Sequence, residues 1–204
     1  MRNTLGSLAL IAGLAIASAT SITAQTSLDF TAFETGGVSN PADLDFIDVN
    51  ALIFHADNGV SIHISNDSVI GNGFVTSSFP TVTKIFFEDK TGLLSFPAIS
   101  SSSSGVAFAS NPNATLPGGN AIDFVVESAF TAVPPPSKNG LDPGDSVTFL
   151  FAGTDYESLI GAIGSGTVRI GLHVQEIGEC GEDSASFVVV PEPSAALLGS
   201  IGVL

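Results

Sequence analysis

Between Val168 and Gln175 apolar and polar side chains alternate one by one: Val168, Ile170, Leu172 and Val174 fall on one face, Arg169, Gly171, His173 and Gln175 on the other. A period of two is the repeat of an extended chain, whose successive side chains point to opposite sides. A helix would scatter these four apolar groups around its circumference. The same alternation, or a short apolar run closed by turn residues, recurs at 51–55, 60–65, 82–87, 122–130, 147–152, 168–177 and 187–190. Within 122–127 it sets Ile122, Phe124 and Val126 against Asp123 and Glu127, so such strands are expected to be buried on one side and wet on the other. Turn chemistry separates the runs: Asp57-Asn58-Gly59, Asn72-Gly73, Gly118-Gly119, Asn139-Gly140 and Asp142-Pro143-Gly144-Asp145. The serine run 100–104 and the prolines Pro134, Pro135 and Pro136 read as loops, the second an extended connector. With 15 Phe, no Trp and one Met, the core falls to Phe, Val, Ile and Leu.

The fold class that follows is all-β: an antiparallel β-sandwich, jelly-roll or Ig-like, with one short helix near 155–164. The helix is read from Thr154 and Glu157, which have the T-x-x-E spacing of a capping box. Tyr156, Leu159, Ile160 and Ile163 follow at helical intervals, and Gly164 or Gly166 ends it.

Neither end of the chain fits that domain. Arg2 precedes an apolar stretch, 8–19, of secretory-signal length and short for a membrane crossing. Small residues at Ala17 and Ala19 suit cleavage after Ala19; Ala24 is the other candidate, with Ile22 a poorer fit, and polar Gln25, Thr26 and Ser27 then begin the mature chain. At the other end Pro191-Glu192-Pro193-Ser194 leads into an apolar run to Leu204 that reads as a membrane address. The organisation expected is a signal peptide at 1–24, one β-sandwich domain at 25–190 and a sorting segment at 191–204.

Charge narrows the partners. Once Arg2 leaves with the signal, Lys84, Lys90, Lys138 and Arg169 face 20 carboxylates. Four scattered cations form no phosphate-tracking stripe, so nucleic acid is not an expected partner, and anionic headgroups would repel the surface. The membrane is met only through the transient C-terminal segment. Cys180 is the single cysteine and reads as an idle loop thiol, with an intermolecular bridge as the sharper alternative.

The run Val190-Pro191-Glu192-Pro193-Ser194 with Ala195-Ala196-Leu197-Leu198-Gly199 resembles the PEP-CTERM sorting signal of Gram-negative bacteria. That signal joins a Pro-Glu-Pro motif, a transmembrane stretch and a basic cluster, and is processed by the membrane protease exosortase. The resemblance implies that Pro191, Glu192 and Pro193 are the sorting and processing motif. The body, from about Val60 to Ser194, is similar to a recurring type of these exported proteins. The similarity is carried by 82–89, 91–94, 139–146, 168–175 and Ser186-Phe187. The group implies a β-rich extracellular domain without an assigned reaction. The tail departs from the pattern: the run after Pro193 spans about 16 Å as helix against roughly 30 Å of hydrocarbon, and no Arg or Lys follows Leu204. The expectation is that this sequence is cut short, as a fragment would be, or that the signal has decayed.

Catalytic constellations are thin. No G-x-S-x-G, H-E-x-x-H, C-x-x-C or P-loop occurs, and the glycine-rich stretch 161–166 ends a helix instead of opening one. His55 and His63 lie on neighbouring strands where a hairpin could pair them for zinc or copper, although polar outward positions explain them as well. Asp43, Asp45, Asp48 and Asn50, with Asp57 and Asn58, concentrate hard oxygen ligands, so a calcium site on Asp43, Asp45, Asp48 and Asp57 is weighed against a solvated acidic face. Asn66-Asp67-Ser68 and Asn113-Ala114-Thr115 match the glycosylation sequon and read as exposed loops. The function expected is non-enzymatic: an exported protein of the cell surface or extracellular matrix, structural or adhesive, with exosortase as processing partner and exopolysaccharide or biofilm as setting. The alternatives are a carbohydrate- or calcium-binding module and, behind it, a secreted hydrolase.

Overall fold

The computed structural model describes residues 25–69, 79–95, 97–178 and 180–189. Ten antiparallel strands form one curled sheet: β1 (Gln25–Gly37), β2 (Val49–Ala56), β3 (Gly59–Asn66), β4 (Thr81–Asp89), β5 (Ala98–Ser102), β6 (Phe108–Ser110), β7 (Ser128–Ala132), β8 (Ser146–Ala152), β9 (Val168–Ile177) and β10 (Asp183–Val189), in the order β5-β8-β3-β2-β1-β10-β9-β4-β7-β6. The all-β class expected from alternation is what the chain adopts. The two layers of a sandwich are here the two halves of one sheet, joined through β1. Its first residues pair with β2 (Leu28 opposite Ala51) and its later ones with β10 (Phe30 opposite Val189). The sheet folds over so that Phe87 of one half meets Phe149 and Phe151 of the other edge to face, both at 5.2 Å between ring centroids. Ile53, Ile62 and Ile64 join Val82, Ile85, Ile170, Leu172 and Val174 in the same buried cluster.

Strand β1 is the element that alternation should have revealed and that the polar start Gln25-Thr26-Ser27 obscured. Leu28, Phe30 and Ala32 point into the core on period two. The serine run, read as a loop, is mostly strand β5, because an edge strand with both faces exposed needs no apolar alternation. Segment 122–130, read as one strand, pairs only from Ser128. A 3₁₀ turn at Gly119–Ile122 and a left-handed Asp123 (φ 50°) break the alternation before it. The triple proline leads into a one-turn helix, α1 (Pro136–Asn139), instead of an extended connector.

The expected helix is α2 (Tyr156–Gly164). Its cap is Asp155, whose carboxylate accepts from Ser158 N at 2.9 Å, and not Thr154, whose hydroxyl donates to Leu93 O at 2.7 Å. Leu159, Ala162 and Ile163 are buried in the main core, so α2 closes the end of the curled sheet between β8 and β9. Among the described residues no helix is long and apolar enough to cross a membrane.

The outer face of the β10-β9-β4-β7 half is not wet. Segment 111–127 lies across it and builds a second, smaller cluster in which Leu116 and Phe124 pack on Phe86 and Ala129, flanked by Phe33, Ile122, Val126 and Val188. Gly171 makes this possible: a Cβ there would stand 2.7 Å from Leu116 and 3.2 Å from the Phe124 ring. The alternation placed Arg169, Gly171 and His173 together on this face correctly; what it lacked was the strap above Arg169 and Gly171.

Candidate functional site

The structure places each of the four carboxylates expected to hold calcium. Asp43 lies in the 3₁₀ turn Pro41–Phe46 and accepts from Asn40 Nδ2 at 3.1 Å. Asp45 is exposed in the same turn. Asp48 accepts from Asn50 Nδ2 at 3.0 Å, and that amide also donates to Asp67 at 3.2 Å. Asp57 sits in the β2–β3 hairpin turn, at the far end of β2 from Asp48. Eight residues of strand separate those two by roughly 25 to 30 Å. The four carboxylates proposed for calcium are therefore not brought together, because two of them belong to opposite ends of one strand. No group of three or more His, Cys, Asp or Glu side chains among the described residues is arranged to hold a metal ion. Ala19, Ala24, Pro191, Glu192 and Pro193 lie outside the described residues.

The histidine pair is also parted. His63 stands opposite Leu52 and His55 opposite Val60, so one imidazole is on the outer face of the hairpin and the other on the core side. His63 Nδ1 shares a hydrogen bond of 3.0 Å with Thr148 Oγ1. His55 stacks on Tyr156 with ring centroids 4.4 Å apart, and the Tyr156 hydroxyl bonds Thr26 Oγ1 at 2.8 Å. The sole tyrosine is thus a structural pin between β1, β2 and α2. None of the exposed large hydrophobic side chains among the described residues, Val69, Ile99, Val125 and Val133, is aromatic. A sugar-stacking platform is not presented by this set.

A cleft of about 580 Å³ does open at the end opposite α2, between the 39–46 turn and the β9–β10 connection. Ser39, Asn40, Asp43, Phe46, Cys180 and Asp183 line it. Asp183 accepts from Ser39 N at 2.7 Å and Ser39 Oγ at 3.1 Å, tying the two loops together. Gly178 (φ 84°) leaves room for both Asp43 and Asp183: a Cβ there would stand 3.2 Å from one carboxylate and 3.4 Å from the other. Cys180 is exposed at the rim. Among the described residues the cleft offers acceptors and a thiol, and no nucleophile is hydrogen-bonded to a histidine or lysine base there.

The most developed polar constellation was not foreseen. Glu88 is fully buried and paired with Arg169 through two contacts, Nε to Oε2 and Nη2 to Oε1 at 2.9 Å, with Lys90 Nζ at 3.5 Å. The guanidinium also donates to Ile122 O (2.8 Å) and Asp123 O (2.6 Å) and lies 5.1 Å over the Phe124 ring. Glu88 accepts from Val125 N at 2.7 Å. Burial pushes the Glu88 carboxyl up, but the Arg169 hydrogen bonds, the Val125 N–H and the charges of Arg169 and Lys90 outweigh it and hold the group below its ordinary value of 4.5. This pair latches segment 111–127 to the sheet, and its role is architectural. Beside it His173, 7 % exposed between Ser186 and Lys84, is lowered to about 4 by burial and by the Lys84 charge.

Comparison with models of known protein families, with curated proteins and with solved structures returned no match.

Proposed function

We propose that this chain is an exported, non-enzymatic protein of the cell surface or extracellular matrix, handed to exosortase through Pro191-Glu192-Pro193. The observation that carries the reading is the pairing of two end segments, an Arg-led apolar run and a Pro-Glu-Pro-led apolar run, around one folded domain. The geometry of that domain supports it. Every described strand lies between the two proposed processing points: β1 is described from Gln25, after both Ala19 and Ala24, and β10 to Val189, two residues before Pro191. Gln25 faces Phe54 near α2, and Val189 faces Phe30. Gln25 and Val189 thus lie away from the 39–46 and 177–183 loops, which a surface-tethered domain would present outward.

The test is fractionation of a Gram-negative host expressing the full chain, with and without exosortase, beside a variant carrying Pro191→Ala, Glu192→Ala and Pro193→Ala. The reading expects protein outside the inner membrane with a shorter C-terminus only when both the motif and the protease are present. Identical processing of the variant would remove the exosortase step. Retention in the cytoplasm would remove export itself.

A second reading, a secreted hydrolase, draws on the approach of Asp43 and Asp183 across one glycine in an open cleft. Both carboxylates already serve as loop acceptors, so Asp43→Asn and Asp183→Asn are expected to loosen loops and to alter no glycosidase activity.

A further inference from the structure

We infer that β5 is a self-association edge, through which two copies of this chain pair antiparallel. Strand β5 ends the sheet order; β8 pairs with one side of it and no described strand with the other. All five of its residues are exposed, Ile99 to 37 %. An unpaired row of N–H and C=O groups is a template for another strand, and proteins normally guard it with lysine or an inward charge. Here that guard is missing over a wide area. No Asp, Glu, Lys or Arg occurs from Thr91 to Ile122, nor in β8, β3 or β2 behind the edge, although the whole chain carries 20 carboxylates. The opposite edge, β6, has three residues and runs into Asn111-Pro112, which blunts it.

This charge distribution selects the occupant. A strongly acidic chain repels its own copies wherever carboxylates face one another. At β5 two copies approach without that repulsion, and Ala98, Ser100, Ser101 and Ser102 are small enough to let backbones close. An antiparallel pair of identical strands is related by a two-fold axis, so the contact is satisfied at two copies. It joins two uncharged half-sheets, β2-β3-β8-β5 from each copy, into one surface. Pro97 and the register shift between Ile99 and Ser101 limit the pairing to a few residues, which makes the dimer weak and reversible. The inference does not depend on export, so its failure leaves the proposed function standing.

Position-specific trapping tests it on the full mature chain with Cys180→Ser, which removes the native thiol. Ser100→Cys and Ser101→Cys place a thiol at the centre of the strand, where paired strands bring Cα atoms within disulfide reach. Under mild oxidation at least one of the two is expected to cross-link roughly tenfold faster than Asn58→Cys at the hairpin turn, and faster still in high salt. Adding Ile99→Glu should return the rate to that of the Asn58→Cys control, with melting unchanged as the check on folding. Equal trapping at all three positions, or trapping indifferent to Ile99→Glu, overturns the inference; the first outcome would assign association to another part of the chain. Retardation by an unrelated peptide in place of self-trapping would also overturn it.

Discussion

Asn66 has no exposed surface, yet it was legible only as a glycosylation sequon on an exposed loop. Its amide donates to Pro80 O at 2.7 Å and Leu141 O at 2.8 Å, and its oxygen accepts from Ser68 N and Ser68 Oγ. One side chain thereby stitches β3 to two other segments, and removing it strands several buried groups. Asn66→Ala is expected to cost about 2 to 3 kcal/mol, read as a lowered urea midpoint with an unchanged slope. His173 gives the second prediction at this scale. The unfolded chain takes up its proton near 6.5 and the folded chain only near 4, so the unfolded state binds more protons in between. Stability should therefore fall by about 3 kcal/mol as pH drops from 6.5 to 4 and stay level above that window. The lowered Glu88 and Asp89 carboxyls act in the same sense below about 4.5. Urea midpoints from pH 7 to pH 4 should show the loss flattened in His173→Asn. Alternation put His173 on the right face, but its burial depends on Lys84 and Ser186 of the neighbouring strands, which no local pattern sets beside it.

At the scale of elements, the strap 111–127 behaves as a satellite of the main core, held by its own apolar cluster and by the Arg169–Glu88 latch. Arg169→Met leaves Glu88 buried without its partner and is expected to cost about 3 to 5 kcal/mol, with amide exchange rising first at Phe124 and Val125. Gly171→Ala tests the fit beneath the strap: its methyl would press on Leu116 and the Phe124 ring at a cost of about 1 to 3 kcal/mol, with β9 pairing kept. Elements with strong apolar alternation, β2, β3, β4, β8 and β9, were legible to within a few residues, as was α2. β7 and β10 were legible in part, through the runs 122–130 and 187–190, and the rest was not, for identifiable reasons. β5 is an edge with no buried face, β1 opens on three polar residues, and Phe124 belongs to a strap whose alternation ends at a left-handed Asp123. The helix cap moved by one residue because Asp155 competes with Thr154 for the same amides and Thr154 is drawn to Leu93.

For the whole molecule, a single sheet curled on itself explains why a chain with one free cysteine holds together without disulfides: Phe87, Phe149 and Phe151 close the fold from both halves. Composition and turn residues made the class legible, whereas the join of the halves through β1 required knowing that one strand changes partner at Leu28–Phe30, which no local pattern encodes. The candidate site was barely legible, since the sequence gathered Asp43, Asp48 and Asp57 by proximity along the chain while the strand between them carries them apart. The reading of the molecule as exported cargo between two removable segments is tested most directly by the intact mass of the protein recovered from an exosortase-bearing host. The account predicts a surface or medium species beginning at Thr20 or Gln25 and shortened to the Pro191–Pro193 region. A cytoplasmic species with the mass of all 204 residues would contradict it.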